Sequence, residues 1–347
     1  MFERELSGMN YRFLGRTGLR ISTLGLGTMT FGGSGSAFFE GVGGVESTDA
    51  QYMFDMALDS GVNFVDTADV YSRGVSEEIL GKIIKDKRNQ VIIATKCHGR
   101  MSTNINDIGL SRQHIISSCE ASMRRLGTDF IDLYQVHGFD AYTSWDEALS
   151  TFDTLVRQGK VRHIGCSNLS AWHVMKALGV SERYGWSRFA AYQGNYSLLA
   201  REAEHELLPM CGEEGLAFIV WSPLAGGYLS GKYVNAGASV QGRRSAVGDP
   251  GTIDGTTATR ILKVLEEIAT AHGRPFAQVS LNYLTRKTAI ASVLVGSRTL
   301  AQFEENLKCL EWSLSDEEAQ RLDDASARPL PYPYWHQRQY NASRFSR

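Results

Sequence analysis

NFVDTADVY, residues 63–71, is a short apolar run that ends in Asp66, with Tyr71 five positions further on. Three more such runs follow at spacings of about thirty residues. VIIATK (91–96) ends in Lys96, IDLYQVH (131–137) in His137, and VRHIGCSN (161–168) in Ser167 and Asn168. Runs this short, rich in Val and Ile and bounded by polar segments, read as strands, and the stretches between them carry apolar residues at helical spacing. Packing gives no reason for a titratable or amide-bearing group at the end of one run after another. Strands alternating with helices imply a parallel sheet, and in a parallel barrel the strand ends share one rim, where sites are built.

The alternation extends in both directions. Upstream, YRFLGRTGLRIS (11–22) has two alternating pieces around Thr17 and Gly18 and reads as a β-hairpin ahead of the main fold, with residues 1–8 a loose extension. LGLGTM (24–29) supplies a first strand, and the glycine-rich stretch from Gly32 to Gly44 reads as a flexible loop. Capping spacings at Thr48 and Gln51, at Ser144 and Glu147, and at Ser315 and Glu318 predict helix starts, as does Ser76 alone. Downstream come a helix near 170–182, the strand FAAYQ (189–193), a helix around Leu207 and Leu208, and the strand LAFIVW (216–221). A connection of about 35 residues follows, then helices near 258–271 and 276–286, the strand IASVLVG (290–296) and a helix from Thr299. Long loops in compact domains are usually functional. The count is eight strands with no internal linker, which predicts one domain over residues 1–347: a closed (β/α)8 barrel with an N-terminal hairpin and extra C-terminal helices.

Composition removes other classes. With 347 residues, 43% hydrophobic, the chain can bury a large core, and a formal net charge of −2 argues against a general nucleic-acid binder. Its five cysteines are scattered without a CxxC pair, so neither a disulfide framework nor a metal site is expected. No apolar run reaches the roughly 18 residues of a membrane span, and MFERELSGMNY lacks the apolar core of a signal; the cytoplasm is the expected compartment.

The rim residues suit one kind of chemistry. A tyrosine hydroxyl exchanges its proton reluctantly near neutrality. A neighbouring ammonium is expected to lower that barrier, a carboxylate to keep the ammonium charged, and a histidine to orient a substrate oxygen. Together they fit delivery of a proton to a carbonyl oxygen while a hydride carrier attacks the carbon.

On these residues the chain resembles the aldo-keto reductase superfamily over nearly its whole length. DTADVY is similar to that family's aspartate-to-tyrosine motif, ATK and QVHGFD supply its lysine and histidine, and GCSN resembles its carboxamide-binding pair. The resemblance implies reversible NADPH-dependent reduction of an aldehyde or ketone, with hydride from the nicotinamide C4. Tyr71 would be the general acid, Asp66 and Lys96 its tuning pair, and His137 the substrate orienter. It further implies that Ser167, Asn168 and Gln193 hold the nicotinamide amide, that Trp221 stacks on the ring, and that Gly27, Thr28 and Met29 border the ribose. WSPLAGGYLSGKY (221–233) is similar to the family's seventh-strand segment. Ser222, Pro223, Leu224, Gly226 and Lys232 would hold the pyrophosphate there.

GSRTLAQFEENL (296–307) resembles the last cofactor motif. Gly296, Ser297 and Arg298 would lie at the 2′-phosphate, and Gln302, Glu305 and Asn306 at the adenosine. Some members carry a lysine where Gly296 stands and an arginine where Gln302 stands, so the phosphate is left to Arg298, with Arg243 or Arg244 of the long connection as its helper, and NADH stays open as a second carrier. GGYLSGK (226–232) also fits a nucleotide-phosphate loop, but Tyr233 stands where that loop needs Ser or Thr. Phe31, His98 and Phe139, each just past a strand end, are pocket candidates, as are Tyr334 and Trp335 in the aromatic tail PYPYWHQRQY (331–340). The family also resembles the β subunits of potassium channels, so a cofactor-sensing regulator is the alternative to an enzyme. Substrate identity and oligomeric state are not legible.

Overall fold

The computed structural model describes residues 8–33, 37–231 and 255–345. β1 (Tyr11–Phe13) and β2 (Arg20–Ser22) pair antiparallel, as the alternating pieces predict. Eight parallel strands then close on themselves: β3 (Leu24–Gly27), β4 (Phe64–Asp66), β5 (Ile92–Cys97), β6 (Ile131–Val136), β7 (Val161–Ser167), β8 (Phe189–Asn195), β9 (Ala217–Trp221) and β10 (Ser292–Val295). β10 pairs with β3, so the barrel has no edge. The fold is the (β/α)8 barrel read from the alternation.

Helices surround it. In chain order they are α1 (Ala37–Val42), α2 (Ser47–Asp59), α3 (Val75–Ile84), α4 (Arg112–Leu126), α5 (Trp145–Arg157), α6 (Ala171–Tyr184) and α7 (Leu207–Glu214). α8 (Gly255–His272) and α9 (Phe276–Thr285) precede β10, and α10 (Leu300–Leu307), α11 (Asp316–Ser326) and α12 (Tyr334–Phe345) follow it. Ser144 and Thr299 cap α5 and α10, and Ser315 with Glu318 forms a complete capping box on α11.

Three local expectations are corrected. The stretch expected to be a flexible loop carries α1, whose AFFEGV is too short for a periodic signal. α2 starts at Ser47 without a side-chain cap, and the Gln51 amide instead donates to Asp55 at 3.0 Å, one turn along. Ser76 lies inside α3, where its hydroxyl donates to the Thr28 carbonyl at 2.8 Å; Gly74, at φ +94°, is the cap position. The aromatic tail carries α12. Residues 1–7, and 232–254 of the long connection with Lys232 and Arg243, lie outside the described residues.

Two apolar cores result. One lies between strands and helices and includes Phe54, Leu80, Ile115, Phe152 and Leu265. The other fills the barrel with Phe64, Ala94, Leu133, Ala191, Ile219 and Leu294, joined by Leu14 and Ile21 of the hairpin. Leu14 and Ile21 are 0% exposed, so the hairpin stoppers the end of the barrel where the strands begin. Its turn needs Gly15 at φ +60°, where a Cβ would lie 2.3 Å from the Ala190 carbonyl. Arg12 fastens it further, donating to carbonyls of Thr285 (2.6 Å), Lys287 (2.7 Å) and Ile290 at the end of α9, where a cation complements the helix dipole.

Strand stagger fixes which side chains meet inside. Asp66 pairs with Ala94, and Ala94 with Leu133, along the ladder. An eight-stranded barrel of shear eight climbs about one residue per strand, so Gln135, two positions past Leu133, reaches the level of Asp66. The same step through Gly165 and Ala191 brings Gln193 there.

Candidate active site

Asp66, Lys96, Gln135 and Gln193 are buried to 3% exposure or less at the upper end of the barrel. The Lys96 ammonium donates to Asp66 Oδ1 at 2.5 Å, to the Thr67 carbonyl at 2.9 Å and to the Tyr71 hydroxyl at 3.3 Å, which uses all three of its protons. Asp66 Oδ2 accepts from the Gln193 amide at 2.7 Å and the Gln135 amide at 3.3 Å. The His137 ring meets the Tyr71 ring edge to face, centroids 5.9 Å apart. The structure thus brings together the four residues that the strand ends single out.

Tyr71 stands on a tight turn after β4. Ser72 (φ 48°) and Arg73 (φ 54°) are both left-handed, a conformation that costs a non-glycine residue about 1 kcal/mol or more. Two bonds hold that turn: the Ser72 hydroxyl donates to the Phe31 carbonyl at 3.1 Å and accepts from the Gly33 amide at 3.0 Å. The loop after β3 therefore fixes the tyrosine. Sequence reasoning missed Ser72, and only its position next to Tyr71 could have signalled it.

Electrostatics corrects one expectation. Burial pushes the Tyr71 hydroxyl above its ordinary pKa; Lys96 pulls it down, but Asp66 and Asp69 add to the rise and the net shift is upward. The group is a neutral phenol poised to give a proton, not a phenolate. Burial disfavours the Lys96 charge, yet Asp66 and Tyr71 outweigh it and keep the lysine pKa raised. Burial, then Lys96 and His98, push His137 down to about 3, so its imidazole is neutral at physiological pH. Asp69, also missed, is buried with both oxygens unpartnered among the described residues. Burial, then Glu77, raise its pKa well above its ordinary value.

Around this cluster lie polar atoms without partners. Ser167 Oγ, Trp221 Nε1 and Thr30 Oγ1 are buried and make no hydrogen bond among the described residues. Asn168, at φ 56°, donates from its amide to the His137 carbonyl at 2.9 Å, joining the ends of β6 and β7. Beyond Trp221 the backbone turns left-handed at Ser222, Ala225, Gly226 and Gly227, and a Cβ at either glycine would meet nothing within 4 Å. This is an open backbone cradle, and residues 225–230 form a 3-10 turn. Past β10, the Asn306 amide donates to Ser297 Oγ at 3.2 Å, and exposed Arg298 has no partner among the described residues. Gln302 gives its backbone amide to Thr299, the N-cap of α10, and Glu305 is exposed on the same helix. Gly27 and Met29 are partly exposed, whereas Thr28 is buried, its hydroxyl on the Asp66 carbonyl at 3.1 Å. Donors and acceptors unpaired among the described residues, an open cradle and the exposed Arg298 fit a dinucleotide.

The pocket candidates separate. Phe139 is exposed, stacks on His173 at 4.0 Å, and accepts from His98 at its carbonyl, 3.2 Å away. Phe31, by contrast, is 0% exposed and belongs to the core between strands and helices, bridged to Val45 through the backbone, so it lines no open pocket. Tyr334 stacks on His205 at 5.2 Å, which sets the start of α12 against the loop after β8, and Trp335 meets Tyr332 and His336 of its own segment. Among the described residues, no helix is long and apolar enough to cross a membrane, and no cluster of His, Cys, Asp or Glu could hold a metal ion.

Comparison with known proteins agrees with this geometry. The sequence profile of the Aldo/keto reductase family matches residues 23–327. An uncharacterized oxidoreductase, YrpG, of Bacillus subtilis is 38% identical over 91% of this chain and 95% of its own length. Versiconal hemiacetal acetate reductase of Aspergillus parasiticus is 32% identical over 91% and 96%, and a norsolorinic acid reductase of Emericella nidulans 33% over 91% and 81%. Barrel, rim cluster and full-length likeness converge: the chain is an oxidoreductase and belongs to the aldo/keto reductase family, whose members generally use nicotinamide cofactors.

Proposed function

We propose that this protein reduces an aldehyde or ketone to an alcohol with NADPH, reversibly, and that Tyr71 gives the proton. The observation that carries this reading is the single ammonium of Lys96 shared between Asp66 and the Tyr71 hydroxyl. When bound, the cofactor supplies a hydride to the carbonyl carbon. Tyr71, a neutral phenol, protonates the oxygen as negative charge develops on it, and Lys96 stabilises the phenolate that remains. Neutral His137 offers an N–H to the same oxygen and orients it.

The cofactor would be held in two places. Ser167, Asn168 and Gln193 present the amide and hydroxyl groups a carboxamide needs, beside Trp221 for the ring and Gly27, Thr28 and Met29 for the ribose. Ser222, Pro223, Leu224 and Gly226 would take the pyrophosphate on backbone N–H groups, with Lys232 and Arg243 joining from the long connection. Gly296, Ser297 and Arg298 would meet the 2′-phosphate, and Gln302, Glu305 and Asn306 the adenosine. Arg298, exposed and without a partner among the described residues, supports NADPH over NADH. A cytoplasmic setting suits such a cofactor, and the partner is a small-molecule carbonyl.

The test is turnover. Purified protein should oxidise many equivalents of NADPH with at least one of a panel of aryl aldehydes, keto-sugars and bulky ketones, and reduce NADP with the matching alcohol. Tight NADPH binding with no turnover across the panel would replace the enzyme by a cofactor-sensing regulator.

A further inference from the structure

Gln135 stands in the middle of an apolar strand, IDLYQV, with its side chain inside the barrel at 0% exposure. Its amide nitrogen lies 3.3 Å from Asp66 Oδ2, while its own Oε1 is buried without a partner among the described residues. A carboxylate can only accept, so the amide must turn its nitrogen toward Asp66, and the orphaned oxygen is the consequence. An unpaired buried carbonyl destabilises a fold, and an apolar side chain of the same length would pack here without that loss. The amide therefore answers to something other than stability.

The neighbouring strand makes room for it. A Cβ on Gly165 would fall 3.2 Å from Gln135 Cγ and 3.1 Å from Leu133 Cδ1, so glycine in β7 leaves the path from β6 to Asp66 open. Gln193 reaches the same oxygen from β8 at 2.7 Å. Asp66 is thus gripped at Oδ2 by two amides, and only Oδ1 remains for Lys96, whose last proton points at Tyr71.

We propose that Gln135 is a positioning residue: acting with Gln193 through Asp66, it fixes the direction in which the Lys96 ammonium faces the Tyr71 hydroxyl. The inference rests on the reading of Tyr71 as proton donor. Without the Gln135 amide, Asp66 can rotate about its last bond, the ammonium follows it, and Tyr71 loses part of the charge that favours its phenolate. The hydroxyl becomes the weaker acid, and reduction slows.

Gln135→Met keeps length and removes the donor; Gln135→Asn keeps an amide one methylene too short. In both, kcat for carbonyl reduction should fall by about tenfold and the alkaline limb of its pH profile should move to higher pH, as a weaker general acid requires. KM and the NADPH Kd, read by quenching of tryptophan fluorescence, should change less than about twofold, the signature of an interaction felt mainly in the transition state. Thermal unfolding should be unchanged in the Met variant or occur at a higher temperature. Because both amides grip one oxygen, Gln135→Met and Gln193→Met combined should lose less than the product of the two single losses. Wild-type turnover with unchanged kcat and pH profile in the variants overturns this inference alone. A Met variant that fails to fold, or loses Tm and kcat together, assigns the amide to the fold and overturns it as well. Absence of wild-type turnover takes down the reading of the site, and this inference with it.

Discussion

The lower and upper halves of the barrel interior are built from the same strands, two residues apart, on opposite principles. Below, Phe64, Leu133 and Ala191 pack with the hairpin's Leu14 and Ile21, and apolar contact is the whole interaction. Above, Asp66, Gln135 and Gln193 occupy the same strands and sit in a hydrogen-bonded layer with Lys96. The lower half stabilises the barrel by removing apolar surface from water. The upper half buries an ion pair and leaves buried polar atoms unpaired, which no stability argument would choose. One strand can serve both ends because side chains on the same face recur every second residue.

The sharpest way to break this division is Tyr71→Phe. It should lower kcat by roughly two to four orders of magnitude, the range of general-acid loss, while NADPH affinity and unfolding temperature stay near wild type. Turnover and fluorescence titration on one preparation check it, and undiminished turnover would refute the proton assignment. Next comes the lower half: Leu133→Ala should cost about 2–5 kcal/mol of stability by urea unfolding, with kcat per folded molecule nearly unchanged. A large kcat loss at full folding would mean that the two halves are not separable.

A smaller effect probes the cofactor end. Arg298→Ala should weaken NADPH roughly tenfold, as expected for one exposed charge-assisted phosphate contact, and leave NADH within about twofold. Equal losses for both carriers would remove Arg298 from the 2′-phosphate. A last effect concerns pH. His137 is held neutral down to about 3 when folded, whereas the unfolded imidazole takes its proton near 6.5. Between those values the unfolded state binds more protons, so stability present above pH 6.5 is lost as pH falls toward 3. His137→Asn should flatten that slope in denaturation curves at pH 5 and pH 7; an unaltered slope would show that other groups cause it.

The same contrast explains what could be read from sequence. Asp66, Lys96 and His137 were legible because each interrupts an apolar run at its end, where nothing but a rim explains it. Gln135 was not, since IDLYQV hides it among apolar neighbours; counting by twos from Leu133 would have placed it inside, but only the stagger between strands tells that it meets Asp66. The net rise in the Tyr71 pKa also escaped, because the pull of Lys96 was visible in the residues while the depth of burial was not. Ser72 is a neighbour of Tyr71 whose partners, Phe31 and Gly33, lie about forty positions upstream, a distance no local pattern spans. α1 and α12 failed for the opposite reason, being short or polar enough that helical periodicity never emerges.

All five cysteines lie at 2% exposure or less. Burial raises every one of their pKa values, Cys119 and Cys211 to about 12. Carbonyl compounds conjugated to a double bond are alkylating agents, and their usual target on a protein is an accessible thiolate. This chain presents none, so an enzyme that handles electrophiles can meet them repeatedly without becoming their adduct, and should keep its activity in the absence of added reductant.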